Sequence, residues 1–293
     1  MDMTHLIKRA TRKSLSCVNR SLDSLIRLKI RRDLLRWSRS SLLAAKDACK
    51  GRVVFCVGNG PSLSPEQVSL ASAYPFIATN RAYQLFQPSL FRRGGQGWLL
   101  INDFYRSLEV LPVLKDDHAQ VVVGCHNPKN IYLYTTIMRQ AWIFANCAWG
   151  IRLGRGGLRL FDQSFVQLCT DDFAKRYYAG WSVIFSAIQF AAYLGAKKIV
   201  LLGCDMDYSG PVQYSGLIKH DRLSIGHLGR FVYEEHGKPH MIACRDKLQA
   251  KGIQMYNAAP AGAINEIPRI THEQLEKMLE LENDQFSPGL AGQ

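Results

Sequence analysis

The sequence predicts an α/β fold: a single Rossmann-like parallel sheet with helices on both faces, plus a basic helical N-terminal segment and a lid-like loop region. Three observations predict it. Short apolar runs recur from Val53 onwards, too short for helices and rich in Val, Ile and Leu, like strands buried on both faces. Helical stretches alternate with them, as in a parallel sheet. Several runs break off in Gly or Asn, which turn a chain sharply. At 293 residues the chain can bury a sizeable core.

Residues 5 to about 49 predict one or two helices. Leu15, Val18, Leu22, Leu25, Ile26, Ile30, Leu34 and Trp37 recur mostly at three- and four-residue steps. Arg20, Arg27, Lys29, Arg31, Arg32, Arg36 and Arg39 occupy much of the remaining surface. A basic amphipathic helix of this kind suits an anionic membrane surface, where each cation contributes about 1 kcal/mol. A helix packed on the body of the protein, or on a partner subunit, carries the same pattern. Three regions follow: the basic segment at 1–52, an α/β domain at 53–269, and a C-terminal helix and tail at 270–293.

The first strand, Val53 to Val57, runs into Gly58-Asn59-Gly60-Pro61-Ser62-Leu63. Gly58 and Gly60 permit positive φ and close backbone approach to a ligand. Ser62 is placed to cap a helix whose free N–H groups would face an anion. Ser64-Pro65-Glu66-Gln67 is a helix start with an early Pro. Phe76 to Thr79 is a second strand, ending in Asn80; Trp98 to Ile101 is a third, ending in Asn102; Gln120 to Gly124 is a fourth. Residues 125–178 hold aromatics and turn signals, and have the look of a substrate-facing or lid region.

Trp181 to Tyr193 predicts an apolar helix that Leu194-Gly195 terminates. Ile199 to Gly203 is a central strand, followed by Cys204-Asp205-Met206-Asp207-Tyr208. Residues 211–240 form a long polar loop with Tyr214, His220, His227, His236 and His240, of the kind that carries function. Ile242 to Ala250 predicts a helix and Ile253 to Asn257 a last strand. Thr271 with Gln274 forms a capping box for a closing helix.

The formal charge of +13 is unevenly placed. Residues 1–52 hold 14 Lys/Arg and 4 Asp, leaving only +3 for the other 241 residues. A nucleic-acid partner would need the charge on the folded domain, so none is expected. The eight cysteines stand singly, without a C-x-x-C pair, so a reducing cytoplasm fits, with neither disulfide framework nor zinc site. No stretch is long and apolar enough to span a bilayer, and the N-terminus lacks a signal peptide's apolar core.

Three strands thus end in asparagine, at Asn59, Asn80 and Asn102. Ligands of open parallel sheets bind beyond these carboxyl ends, where neutral amides offer donors and acceptors to a sugar–phosphate. Each asparagine taken alone is an ordinary turn residue. Asp205-Met206-Asp207 has the form of a pair holding a divalent cation.

Together these blocks resemble the Campylobacter-type bacterial sialyltransferases over roughly residues 53–260. The residues concerned are Gly58-Asn59-Gly60-Pro61-Ser62-Leu63, Asn80, Asn102, the small-residue helix after Ser182, Leu194-Gly195-Ala196-Lys197-Lys198-Ile199 and Gly203-Cys204-Asp205. The helix-to-Gly-x-Asp block is also similar to enzymes that add Kdo to the lipopolysaccharide core. The resemblance implies a CMP-sugar donor, with Asn59 and Asn80 against its ribose and phosphate, Asn102 against its sugar and Ser182 binding the donor; Gly58, Gly60 and Ser62 are expected to bind substrate beside them. It implies Tyr208 and Tyr214 on the departing phosphate and His236 as general base, His227 being the alternative. It further implies no metal cofactor, with Asp205 fixing its turn through backbone hydrogen bonds instead, and self-association.

The resulting expectation is a glycosyltransferase that moves a CMP-activated keto-sugar acid, sialic acid or Kdo, to a lipopolysaccharide- or lipooligosaccharide-type glycolipid acceptor. It would sit in the cytoplasm, peripheral on the inner membrane. Its chemistry has negative charge growing on the leaving phosphate, met by tyrosine hydroxyls, while a histidine takes the acceptor proton. Gly-x-Gly-Pro-Ser-Leu is also similar to a pterin diphosphokinase-related family, which implies ATP and Mg²⁺ instead. A membrane-docked scaffold without turnover is the third reading.

Overall fold

The computed structural model describes residues 41–101, 120–124, 142–145, 147–148, 151–154, 157–160, 169–178, 182–207, 216–217 and 233–286. From β1 (Val53–Val57) the chain builds outward through β2 (Phe76–Thr79), β3 (Gly97–Ile101), β4 (Val121–Gly124) and β5 (Trp142–Ala145). A short β6 (Cys147–Ala148) pairs with β9 (Tyr177–Tyr178), and β7 (Ile151–Gly154) forms an antiparallel pair with β8 (Gly157–Leu160). The chain then returns to the far side of β1 with β10 (Lys198–Leu202) and β11 (Gln254–Asn257). The result is one parallel seven-stranded sheet, in the order β11-β10-β1-β2-β3-β4-β5. The order reverses between β1 and β10, so the carboxyl ends of those strands form the topological switch point.

The apolar strands are continuous because both faces of the sheet are covered. Val54, Cys56, Ile77, Leu100, Ile199 and Leu201 point to one layer. Val53, Phe55, Val57, Phe76, Ala78, Leu99 and Val200 point to the other. The first layer holds α2 (Val183–Tyr193) and α3 (Lys238–Gln249), through side chains such as Phe185, Ile188, Phe190, Met241 and Cys244. The second holds α1 (Pro65–Ser72) and α4 (His272–Phe286), through Ala71, Leu275 and Leu279, with a cluster of Phe76, Phe86 and Phe91 beside them. The expected single parallel sheet with helices on both faces is observed.

Residues 41–52 belong to this body. Leu42, Ala45 and Cys49 are buried in the α2 layer. The segment also closes the end of α2: Asp47, Cys49 and Gly51 donate backbone N–H groups to the carbonyls of Tyr193, Leu194 and Gly195, and Tyr193 Oη donates to the Leu42 carbonyl. Gly195 has φ +86°, which suits the glycine that ends this helix. The amphipathic stretch up to residue 40 lies outside the described residues.

α4 is fastened to the sheet by a buried carboxylate. Glu282 Oε1 accepts the Val53 N–H at 2.8 Å, satisfying the first donor of the central strand. The Thr271/Gln274 capping box forms as the sequence predicts, at 2.9 and 3.2 Å. α3 departs from expectation by starting at Lys238, straight after a π-helical turn at Tyr233–Gly237. His240, expected in the loop, therefore lies within α3, buried with its ring 5.4 Å from that of Phe185.

Candidate functional site

The turn after β1 is stitched to the turn after β10. Gly58 and Gly60 donate to the carbonyls of Leu202 and Gly203, both at 2.8 Å, and Ser62 N–H donates to Asp205 Oδ2 at 3.2 Å. A Cβ on Gly58 would lie 2.4 Å from the Gly203 carbonyl oxygen, and one on Gly60 2.0 Å from Asp205 Oδ2. The close approach of the two turns is by itself enough to require glycine at both positions. The positive φ expected of Gly58 and Gly60 is found instead at Gly203, at +58°.

The helix cap also differs from expectation. Ser64, not Ser62, caps α1: its Oγ accepts from Gln67 N–H at 3.3 Å, and Gln67 Oε1 accepts from Ser64 N–H at 3.2 Å. Leu63 N–H is taken by the Gly60 carbonyl. The N–H groups of Gly58, Gly60, Ser62, Leu63 and Ser64 are thus all engaged within the protein. These five donors are thus not free to cradle a phosphate.

What it does offer is acceptors. Asn59 Nδ2 donates to the Thr79 carbonyl at 3.2 Å, which fixes the amide and leaves Oδ1 buried without a partner. Thr79 Oγ1 donates in turn to the Val57 carbonyl at 2.8 Å, locking the tips of β1 and β2 together. Asn80, next in the chain, has φ +49°, a conformation that asparagine tolerates better than most side chains. Its Oδ1 is likewise buried and unpartnered. Buried amide oxygens without partners are costly and mark a place where a ligand or water belongs. Arg81, which the sequence reading missed, is buried beside Asn80 and only 6% exposed. Its signal was the unusual placement of a charge directly after an apolar strand.

Asp205 anchors the β10 side. Burial pushes its carboxyl pKa up, opposed by the Ser62 hydroxyl and N–H, its own N–H and the Arg269 charge. The Ser62 hydroxyl lies near that carboxylate without making a well-aligned hydrogen bond. Its carbonyl accepts from Ala263 N–H at 2.7 Å. Gly262, at φ +115°, packs against the Asp205 backbone where a Cβ would come within 2.5 Å of the carbonyl oxygen. Arg269 holds this loop with five hydrogen bonds, to the carbonyls of Ala259, Ala261, Gly262 and Ile264 and to Asn265 Oδ1. Asp205 is thus engaged with a backbone, as one of its two sequence readings expects, while Asp207 is exposed.

Two further predicted positions, Ser182 and His236, fall at the same end of the sheet. α2 leads directly into the parallel strand β10, so its N-terminus, capped by Ser182 Oγ accepting from Ile184 N–H at 3.4 Å, faces the carboxyl ends of the strands. α3 leads likewise into β11, which places the π-helical turn bearing His236 there too. Tyr233 of that turn is buried and donates its hydroxyl to Glu266, and burial together with this contact pushes its pKa far up. Contacts therefore run from the His236 turn through Glu266 and the Arg269 loop to Asp205, Ser62, Asn59 and Asn80. Asn102, Tyr208, Tyr214 and His227, and the side chain of His236, lie outside the described residues.

No family model matches the sequence, and no curated protein matches it. Comparison with solved structures finds the sialyltransferase CstII from Campylobacter jejuni, in complex with a substrate analogue, cytidine-5'-monophosphate. The two chains are 16% identical with a TM-score of 0.40, over 75% of this chain and 85% of that one.

Proposed function

We propose that the protein is a glycosyltransferase that moves a CMP-activated keto-sugar acid, sialic acid or Kdo, to a lipopolysaccharide- or lipooligosaccharide-type acceptor. The observation that carries the reading is the pair of buried, unpartnered amide oxygens, Asn59 Oδ1 and Asn80 Oδ1, at adjoining strand tips. Acceptors call for donors. Ribose hydroxyls or a base amine meet them, and phosphate oxygens do not. In this reading Asn59 and Asn80 hold the nucleoside, a narrower role than ribose and phosphate together. The leaving phosphate is left to Tyr208 and Tyr214, with Asn102 on the sugar, Ser182 binding the donor and His236 taking the acceptor proton.

The diphosphokinase-like reading loses support from the same turn. An ATP triphosphate needs free N–H groups, and those of Gly58 to Ser64 named above are engaged. The reading includes no metal, and Asp205, half of the candidate Asp-x-Asp pair, already accepts from Ser62 N–H through Oδ2. The basic segment 5–49, whose end from Leu42 onwards packs on α2, serves in this reading to hold the enzyme on the cytoplasmic face of the inner membrane, beside a lipid-linked acceptor.

Calorimetry tests the donor class: CMP binds without added metal, and ATP with Mg²⁺ does not. Consumption of CMP-sialic acid or CMP-Kdo, insensitive to EDTA, then assigns the reaction. ATP binding that requires Mg²⁺, or failure to consume either CMP-sugar in the presence of lipopolysaccharide, overturns the reading.

A further inference from the structure

The described residues divide their charge between the two ends of the sheet. At the amino ends of the strands, Arg52 stands ahead of β1, Lys197 and Lys198 lead into β10, Lys251 precedes β11 and Arg93 lies in the turn before β3. Backbone bonds hold these leads at one level. The Arg52 carbonyl accepts from Lys197 N–H at 2.9 Å, the Lys197 carbonyl from Gln254 N–H at 3.0 Å, and the Gln96 carbonyl from Phe76 N–H at 3.0 Å. Lys50 joins them, its Cα lying 3.0 Å from where a Cβ on Gly195 would stand. Exposed Asp47 and Glu280 oppose these cations. Asp171 is taken up by Lys247 and Lys251, at 2.7 and 3.4 Å, and Glu282 is buried on the Val53 N–H.

The carboxyl ends carry the reverse. Glu66 lies in the first turn of α1, Asp207 follows β10, Glu234 and Glu235 sit in the π-helical turn, and Glu273 and Glu276 begin α4; all six are exposed. Lys277 is exposed beside them, while Lys238 pairs with Glu234 at 3.1 Å and Arg269 is held by its loop. The five residues of β1 separate the two ends by about 16 Å. That is about twice the Debye length at physiological salt, so an anionic surface attracts the basic end with little influence from the acidic one.

We propose that the amino end of the sheet is a docking surface for anionic phospholipid headgroups, formed by the folded body itself, which turns the strand tips away from the bilayer. The cations are spread over the leads into β3, β1, β10 and β11, which suits a plane of headgroups better than the single track of a nucleic-acid backbone. The surface also adjoins the basic part of the sequence. Residues 47–51 bond to the carbonyls of Tyr193, Leu194 and Gly195 at this end, and residues 1–40 ahead of them hold 11 Lys/Arg and 3 Asp. One consequence rests on the glycolipid-acceptor reading above. With the strand tips about 16 Å or more from the lipid, the acceptor is a saccharide long enough to extend past the lipid-proximal sugars.

Full-length protein is sedimented at physiological salt with vesicles of phosphatidylcholine, alone or mixed with phosphatidylglycerol. Binding is expected only to the mixed vesicles. Arg93→Gln, Lys197→Gln and Lys198→Gln combined should weaken it at least about tenfold, since each cation near the surface contributes about fivefold. Lys238→Gln, which removes a cation from the opposite end, should leave it unchanged. Should the triple variant fail to fold, Lys197→Gln alone, at an exposed position, is expected to weaken binding about fivefold. The mixed vesicles should also slow hydrogen exchange at residues 46–52 and 92–96 and not at 58–64. CMP calorimetry on the triple variant should match the unaltered chain, so that failure of the surface and failure of the donor reading are seen separately. Unchanged vesicle binding in the triple variant, an equal loss in Lys238→Gln, or tighter binding to duplex DNA than to the mixed vesicles overturns the proposal.

Discussion

Ser62 and Asp205 are joined across 143 positions of sequence by one hydrogen bond, backbone N–H to carboxylate Oδ2 at 3.2 Å. It closes the turn after β1 onto the turn after β10, where the strand order of the sheet reverses. Asp205→Ala leaves the Ser62 donor without its acceptor and is expected to cost about 1–3 kcal/mol. That corresponds to roughly 2–4 °C in unfolding midpoint per kcal/mol for a domain of this size. An unchanged midpoint would show that water replaces the carboxylate at no cost.

Asp205→Asn separates the charge from the hydrogen bond. Burial raises the Asp205 pKa, so the folded protein holds that proton more tightly than the unfolded chain does. Its contribution to stability therefore falls as pH rises from the ordinary carboxylate value of about 3.9 through the folded value. Thermal melts between about pH 4 and 7 should show Asp205→Asn gaining on the unaltered protein as pH rises. A gap that narrows instead would mean the carboxylate is stabilised where it sits.

Asn80→Gly isolates the amide oxygen, since glycine accepts the φ of +49° without strain. Loss of one ligand hydrogen bond, about 0.5–1.5 kcal/mol, predicts CMP binding weakened about 2- to 12-fold by calorimetry with the unfolding midpoint little changed. Asn59→Ala should weaken CMP similarly, and also lower the midpoint slightly through the lost bond to the Thr79 carbonyl. Unchanged affinity in both variants would reduce the two residues to turn formers.

Glu282 and Val53 give a test remote from the site. Glu282→Ala removes the acceptor of the buried Val53 N–H and is expected to cost about 1–3 kcal/mol. Glu282→Gln keeps a carbonyl oxygen there and should recover most of that loss in urea unfolding. Equal losses in both would point to charge rather than hydrogen bonding.

Gln189 is buried and uses both ends of its amide. Oε1 accepts from Thr170 and Tyr178, while Nε2 donates to the carbonyls of Tyr178 at 2.6 Å and Phe185 at 2.8 Å. Gln189→Leu strands two N–H groups at about 1–3 kcal/mol each if both stay dry. Hydrogen exchange should accelerate at residues 169–178 before it does in β1 or β10. Uniform acceleration would mean that the whole fold, not this segment, depends on Gln189.

The sheet was legible because burial on both faces writes itself as uninterrupted runs such as Val53 to Val57 and Ile199 to Leu202. Asn59 and Asn80 were legible as polar residues at strand ends. The reason for Gly58 and Gly60 was not, because it lies in Gly203 and Asp205, more than a hundred residues away, and no local pattern reports such an approach. Ser62 and Ser64 are both good cap residues by type. The reciprocal bond with Gln67 made Ser64 the cap, and the Asp205 carboxylate drew Ser62 N–H elsewhere. His240 was assigned to the loop because charged and polar neighbours hide the start of α3. Arg81 was passed over because buried charge runs against the usual reading of a strand end.

The placement of β10 beside β1 has a consequence for biosynthesis. β1 emerges first from the ribosome and becomes a central strand, but the partner on its β10 side is residues 198–202. Until they appear, a nascent sheet of β1 to β5 carries an open, apolar parallel edge, the kind of surface that pairs with other chains. Residues 41–52 cannot cover it early either, since the carbonyls that receive them belong to Tyr193, Leu194 and Gly195. Truncations ending before about residue 203 should therefore aggregate or recruit chaperones, and solubility should return only once the chain extends beyond β10 and its turn.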